Sequence, residues 1–223
     1  MQAGQRLVAA DGYEVALFPM PYLDMTQDEG GNYSHVGTYN LDFIGWGLNG
    51  RILQAPIYAP CTCKLVYKNP DGTAGGHLRV FESINQVHTP GGLRKILFYF
   101  GHDSNPPINT IGQVCNQGDL IYHTGTYYDS QGTGDHVHSC MGYGSWVNWN
   151  TSITARPPQG RQDLTNRLHY WEAVYVNDTV IRQGYNHNWV TWDAPIPPTP
   201  TPVSFNRFPW VLYARKFRRD RQS

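Results

Sequence analysis

Leu93-Arg94-Lys95-Ile96-Leu97-Phe98-Tyr99-Phe100-Gly101-His102 is the stretch on which the fold turns. It follows a Thr89-Pro90-Gly91-Gly92 break, is dense in strand formers and ends on a histidine. It therefore predicts a strong β-strand that delivers an imidazole to a loop, a common functional position. Shorter segments of the same kind recur on both sides. Upstream, residues 77–83 alternate, residues 52–67 read as an edge strand and then a well-paired one around Pro56 and Pro60, and residues 7–19 read as two short strands about an Asp11-Gly12 turn. Downstream, residues 112–125 read as two short strands with a glycine turn. Residues 163–168 predict a short helix, and residues 170–176 with 179–181 a hairpin about Asn177-Asp178. With no long amphipathic helix before Met141, the expectation is a mainly β domain, an antiparallel sheet with long loops that form a groove.

Composition agrees with that class. The chain of 223 residues is 13% aromatic and 15% charged, with 23 Gly and 16 Pro, which favours strands and ordered loops over helices. Its formal net charge is zero, so nothing calls for nucleic acid as a partner. The length predicts one domain over residues 1–194, elaborated from about residue 146. Residues 195–204 then read as a stiff proline-rich linker, and residues 205–223 as an aromatic and basic tail suited to docking on a partner. No apolar run is long enough for a transmembrane segment, and the N-terminus lacks a signal-peptide core. The expectation is a protein made soluble in the host cytoplasm and delivered by other means. Cys61, Cys63, Cys115 and Cys140 are too scattered for a disulfide scaffold and are expected to be reduced and partly buried.

The second informative stretch is Gly134-Asp135-His136-Val137-His138. Histidines spaced i, i+2 on a strand share a face, so both imidazoles can enter one cleft. Three further residues can join them. His35 follows a polar loop, Asp42 interrupts the apolar run Leu41-Asp42-Phe43-Ile44, and His102 ends the strand described above. A buried carboxylate without a partner is costly, and a metal supplies the partner. A catalytic zinc takes three ligands from His, Asp or Glu and keeps a position for water, whose pKa it lowers to roughly 7. Two remaining imidazoles can move the protons of a hydrolysis.

The order His35, Asp42, His102, His136-Val137-His138 resembles that of the lysostaphin-type zinc endopeptidases, which cut peptide cross-links in bacterial peptidoglycan. Ser34-His35-Val36-Gly37 through Leu41-Asp42-Phe43 resembles their first motif. Residues 55–60 resemble the strand after it, and residues 111–121 the hairpin before the last motif. Gly132-Thr133-Gly134-Asp135-His136-Val137-His138 resembles the ending. The likeness covers roughly residues 12–145 and implies one Zn2+ per chain on His35, Asp42 and His138. It implies His102 and His136 as catalytic imidazoles, with His136 the general base and His102 the oxyanion partner. The chain departs from the family where six residues separate His35 from Asp42 in place of the commoner three, so that residues 37–40 must loop out. The apolar-acidic continuation usual after the last histidine is also missing at Ser139.

The wide first motif, the missing leader and the proline-linked tail are similar to phage lysins and tail-borne wall hydrolases. They imply action on peptidoglycan at the host wall or from the virion tail, with the C-terminal segment contacting other phage tail proteins. Tyr39, Trp46, Tyr127 and Tyr128 are placed to line the groove. Two rival readings exist: a closed structural zinc site of Cys61, Cys63, His136 and His138, and an inactive structural or receptor-binding tail component on the same fold. Cys140 shares the face of His136 and His138 and could neighbour the metal. His77, His88, His123, His169 and His187 are expected to be ordinary hydrogen-bonded histidines.

Overall fold

The computed structural model describes residues 1–70, 77–127, 134–156, 161–183 and 185–193. The linker and tail expected at residues 195–223, and Tyr128, lie outside the described residues. Residues Met1–Trp192 make one compact unit.

Strands dominate, as the composition requires. In chain order they are β1 (Tyr22–Gln27), β2 (Leu41–Gly47), β3 (Gly50–Ile52), β4 (Pro56–Tyr58), β5 (Cys63–Lys68), β6 (Arg79–Ser83), β7 (Val87–Thr89) and β8 (Gly92–Arg94). There follow β9 (Ile96–Gly101), β10 (Val114–Cys115), β11 (Leu120–His123), β12 (Val137–Tyr143), β13 (Ile153–Arg156), β14 (Arg161–Leu164), β15 (Arg167–Leu168) and β16 (Val180–Ile181). Two single-turn helices, α1 (Trp149–Ser152) and α2 (Tyr170–Ala173), complete the set. One sheet runs β10-β5-β6-β9-β12-β2-β1-β16, with β3 added on β2 and β15 on β12. Its pairings are antiparallel except β1 with β16, which is parallel.

The run of apolar residues in β9 has a simple cause: both faces of the strand are covered. Ile96, Phe98 and Phe100 enter the main core with Phe18, Phe43 and Tyr122, while Leu97 and Tyr99 enter a smaller one with Val80, Cys140, Ile153 and Leu164. The β13-β14 hairpin supplies Ile153 and Leu164 to this second core. His138 and Cys140 alternate with Val137 and Met141 on β12, so His138 faces the same side as Tyr99. Among the described residues no helix is long and apolar enough to cross a membrane.

Several local expectations fail for one reason, the priority of tertiary pairing over local pattern. Residues 7–19 form only isolated bridges, Val8 to Glu14 among them. The helix expected at residues 163–168 is absent, because this segment contributes β14 to a hairpin and β15 to the edge of β12. The hairpin expected about Asn177-Asp178 is replaced by α2 and by β16, which pairs with β1. β10 and β11 do not pair with each other but with β5 and β4.

Candidate metal centre and its imidazoles

Register places the site. Asp42 is the direct partner of His138 across β2 and β12, and Gly101 is its partner on β9, so the residue that follows β9, His102, arrives beside it. His35 comes from the loop between β1 and β2. That loop closes through Thr38 N–H to His35 O at 2.9 Å and Gly30 N–H to Thr38 O at 3.0 Å. The extra residues 37–40 thus loop out and return.

The result is a tight triangle. His35 Nε2 lies 3.2 Å from His138 Nδ1 and 3.2 Å from Asp42 Oδ1, and His138 Nδ1 lies 2.9 Å from Asp42 Oδ1. Outward bonds decide the tautomers. His35 Nδ1 donates to the carbonyl of Asp28 at 3.0 Å, so its Nε2 carries a lone pair. Tyr99 gives its own hydroxyl proton to Asn40 Oδ1 at 2.5 Å and faces His138 Nε2 at 3.5 Å as an acceptor, so Nε2 can carry the His138 proton when a metal takes Nδ1. Burial works against ionisation of Asp42, but the imidazoles of His138 and His35 beside it outweigh burial and hold its carboxyl well below the usual range. One carboxylate oxygen and two imidazole nitrogens therefore converge, a donor set suited to a divalent cation that displaces the protons shared among them. Tetrahedral zinc with bonds of about 2.0–2.1 Å would separate its ligand atoms by about 3.3 Å, which these spacings match.

The other two imidazoles stand beside the triangle. His102 and His136 have ring centroids 4.5 Å apart, and His102 lies 6.2 Å from His138. His102 Nδ1 donates to Tyr127 O at 3.0 Å, and His136 Nδ1 to Gly134 O at 2.7 Å. A carbonyl only accepts, so in each ring Nδ1 carries a proton and Nε2 is the nitrogen turned away from that bond. Burial first, and then the neighbouring His136 and His138, push the His102 pKa down to about 4, which keeps it neutral near pH 7. His102 also has φ of +88°, a left-handed conformation that a β-carbon disfavours. Strain of this kind costs on the order of 1–3 kcal/mol and is found where surrounding bonds over-determine the backbone. Here Tyr127 N–H returns a bond to His102 O at 3.0 Å.

His136 is fixed through its neighbour. Asp135 is buried, accepts from Thr124 Oγ1 at 2.5 Å and Gln54 N–H at 3.0 Å, and gives its carbonyl to Arg51. His136 itself exchanges both backbone bonds with Gly125 at 2.8 and 3.0 Å.

The three proposed groove aromatics that are described are each engaged. Tyr39 is sandwiched between the Arg167 guanidinium at 4.0 Å and the His169 ring at 3.9 Å. Trp46 is covered by Arg182 at 3.8 Å, and Tyr127 stacks on His77 at 4.2 Å. Cys140 does not reach the triangle, because its thiol is buried on Asp163 Oδ1 at 2.9 Å. Cys61 and Cys63 lie in the main core as free thiols, and the group that can hold a metal consists of His35, Asp42 and His138 among the described residues. The closed cysteine site is thereby excluded. Tyr99 and Asn40, which set the His138 tautomer, carry no sequence signal, since one reads as a strand residue and the other as part of a loop.

No family model matches the chain. It is 30% identical over 186 residues to Morphogenesis protein 1 of Bacillus phage B103, a match covering 82% of this chain and 46% of that protein. The chain thus spans less than half the length of that relative. Among solved structures it is similar to the catalytic domain of the antimicrobial peptidase lysostaphin from Staphylococcus simulans. That match has 18% identity over 61% of this chain and 81% of the other, with a TM-score of 0.35. It is also similar to a zinc-containing peptidase from Vibrio cholerae, with 16% identity over 62% of this chain and 43% of the other, and a TM-score of 0.40.

Proposed function

We propose that this chain is a zinc-dependent endopeptidase that hydrolyses peptide cross-links of bacterial peptidoglycan, encoded by a phage for wall penetration at entry or for lysis. The observation that carries the reading is the convergence of one carboxylate oxygen and two imidazole nitrogens, 2.9–3.2 Å apart, with both imidazoles' other nitrogens turned outward. His35, Asp42 and His138 would hold the zinc, which when bound supplies Lewis acidity to a carbonyl and a water that ionises near neutral pH. His136 then takes the proton of the attacking water on its Nε2. With the His102 ring 4.5 Å away, that proton can be shared between the two, and the protonated ring donates to the developing oxyanion or to the leaving amine. The strained backbone at His102 and the carbonyls of Tyr127 and Gly134 keep both rings aimed before substrate arrives.

The phage setting rests on the relative whose name speaks of morphogenesis in a Bacillus phage. In that setting residues 1–194 form the hydrolase, and residues 195–223 link it to other components of the virion tail. An inert tail component would have no use for two oriented imidazoles beside a metal triad. The test is turbidity loss of purified walls from several bacteria, with mass analysis of the fragments. Zinc-loaded protein should release products with new peptide amino termini, and failure on every wall chemotype would remove the enzyme reading.

A further inference from the structure

His35 sits on a loop, not on a strand, and a metal ligand on a loop needs something to hold it. The segment after β12 does so at both ends of that loop. At the near end, Asp28 offers its carbonyl to His35 Nδ1 at 3.0 Å, while its carboxylate accepts from His187 Nε2 at 2.7 Å. The adjacent Glu29 is hydrogen-bonded to the His169 ring and accepts the Tyr170 N–H at 3.0 Å. At the far end, Arg167 donates to Gly37 O at 2.8 Å and lies over the Tyr39 ring at 4.0 Å. Between these ends the rings form one column. Tyr39 stacks on His169 at 3.9 Å, His169 on Trp171 at 4.2 Å, and Trp171 on His187 at 4.0 Å.

We infer that Arg167, His169, Trp171 and His187 are positioning residues for the metal ligand His35, acting through Asp28 and Tyr39. The column offsets the freedom that the six residues between His35 and Asp42 would otherwise give the loop. It ties the competence of the triad to a part of the chain that supplies none of its ligands. Groups that orient metal ligands commonly contribute about 10–100-fold to metal affinity when mutated. The role in metal binding rests on the zinc reading above, whereas the hold on the loop does not.

The experiment therefore has two arms, run on the full chain. In zinc-free protein, amide exchange at His35 and Thr38, whose N–H groups bond to Gly31 O and His35 O, reports the loop alone. Trp171→Ala and His187→Ala should each speed that exchange at least about tenfold, and Trp171→Phe should restore it. In the second arm, chelator competition should show zinc held about 10–100-fold more weakly by both alanine variants, with Trp171→Phe near the parent. Unchanged exchange in His187→Ala, whose half-buried ring can be removed without opening the core, overturns the inference. Faster exchange with unaltered zinc affinity overturns it too, since the loop would then be held for some other end. Faster exchange in both alanine variants of a parent protein that binds no zinc leaves the brace standing and removes the metal reading.

Discussion

His138 Nδ1 and Asp42 Oδ1 face each other at 2.9 Å because the two residues are register partners on β12 and β2. Two of the three candidate ligands are thus set by the sheet itself, and only His35 depends on a loop. The carboxylate is the one anionic member, so its loss should abolish binding. Asp42→Ala is expected to bring zinc content from about one per chain to near zero, read by metal analysis of protein purified without chelator. Added zinc at 100 times its Kd should stabilise the parent by ~2.7 kcal/mol and leave the variant's unfolding midpoint unchanged.

The division of labour between the two histidines of residues 136–138 is open to a direct comparison. His136→Ala removes an imidazole outside the triangle and should lower wall hydrolysis by about 100-fold or more while zinc remains bound. His138→Ala should lose both. Parallel metal analysis and turbidity assays on the same preparations separate the two, and normal zinc content in His138→Ala would overturn the ligand assignment.

The candidate site residues were legible as candidates because their chemistry leaves marks in sequence: a carboxylate amid Leu41, Phe43 and Ile44, an imidazole ending an apolar strand, and a histidine pair at strand spacing. What holds them was not legible. His169 and His187 look like any surface histidine, and their partners Glu29 and Asp28 lie 140 and 159 residues away. The same distance effect explains the wrong helix at residues 163–168. Asp163 and Arg167 have helical spacing and do form an i, i+4 ion pair at 3.1 Å, yet Asp163 also takes the Cys140 thiol and the Tyr39 N–H from other elements. The tertiary partners, not the local spacing, choose the backbone.

Glu29 provides a pH test of the same loop. Burial first, and then the nearby carboxylates of Asp28, Asp163 and Glu172, push its pKa up to about 9 against the bond from Tyr170. The folded chain therefore keeps a proton that the unfolded chain releases near about pH 4.3. Stability from this group is full below that value and is lost as pH rises toward 9. Glu29→Gln mimics the protonated form, with its amide donating to His169 and its oxygen accepting from Tyr170. Relative to the parent, the variant should gain on the order of 1–2 kcal/mol between pH 5 and 9, read from urea midpoints. A difference that stays constant with pH would refute the assignment.

Gly125 tests how closely the two proposed catalytic imidazoles depend on backbone packing. The residue exchanges two backbone bonds with His136. A β-carbon there would stand 2.9 Å from Asp103 Cα and closer still to the carbonyl oxygen of His102. Both obstacles are main chain, so relief requires moving the strained His102 backbone, the His136 bridge, or both. Gly125→Ala should therefore destabilise the fold by about 1–3 kcal/mol, as overpacking does, measured as a lower denaturant midpoint. It should also lower wall hydrolysis far more than zinc content, because His35 and Asp42 lie on other backbone and His138 is held by its β2 and β9 partners while His102 and His136 are displaced relative to them. Equal losses of zinc and activity would mean that the shift spreads into the β2–β12 ladder, and full activity would mean that the His102 backbone tolerates displacement.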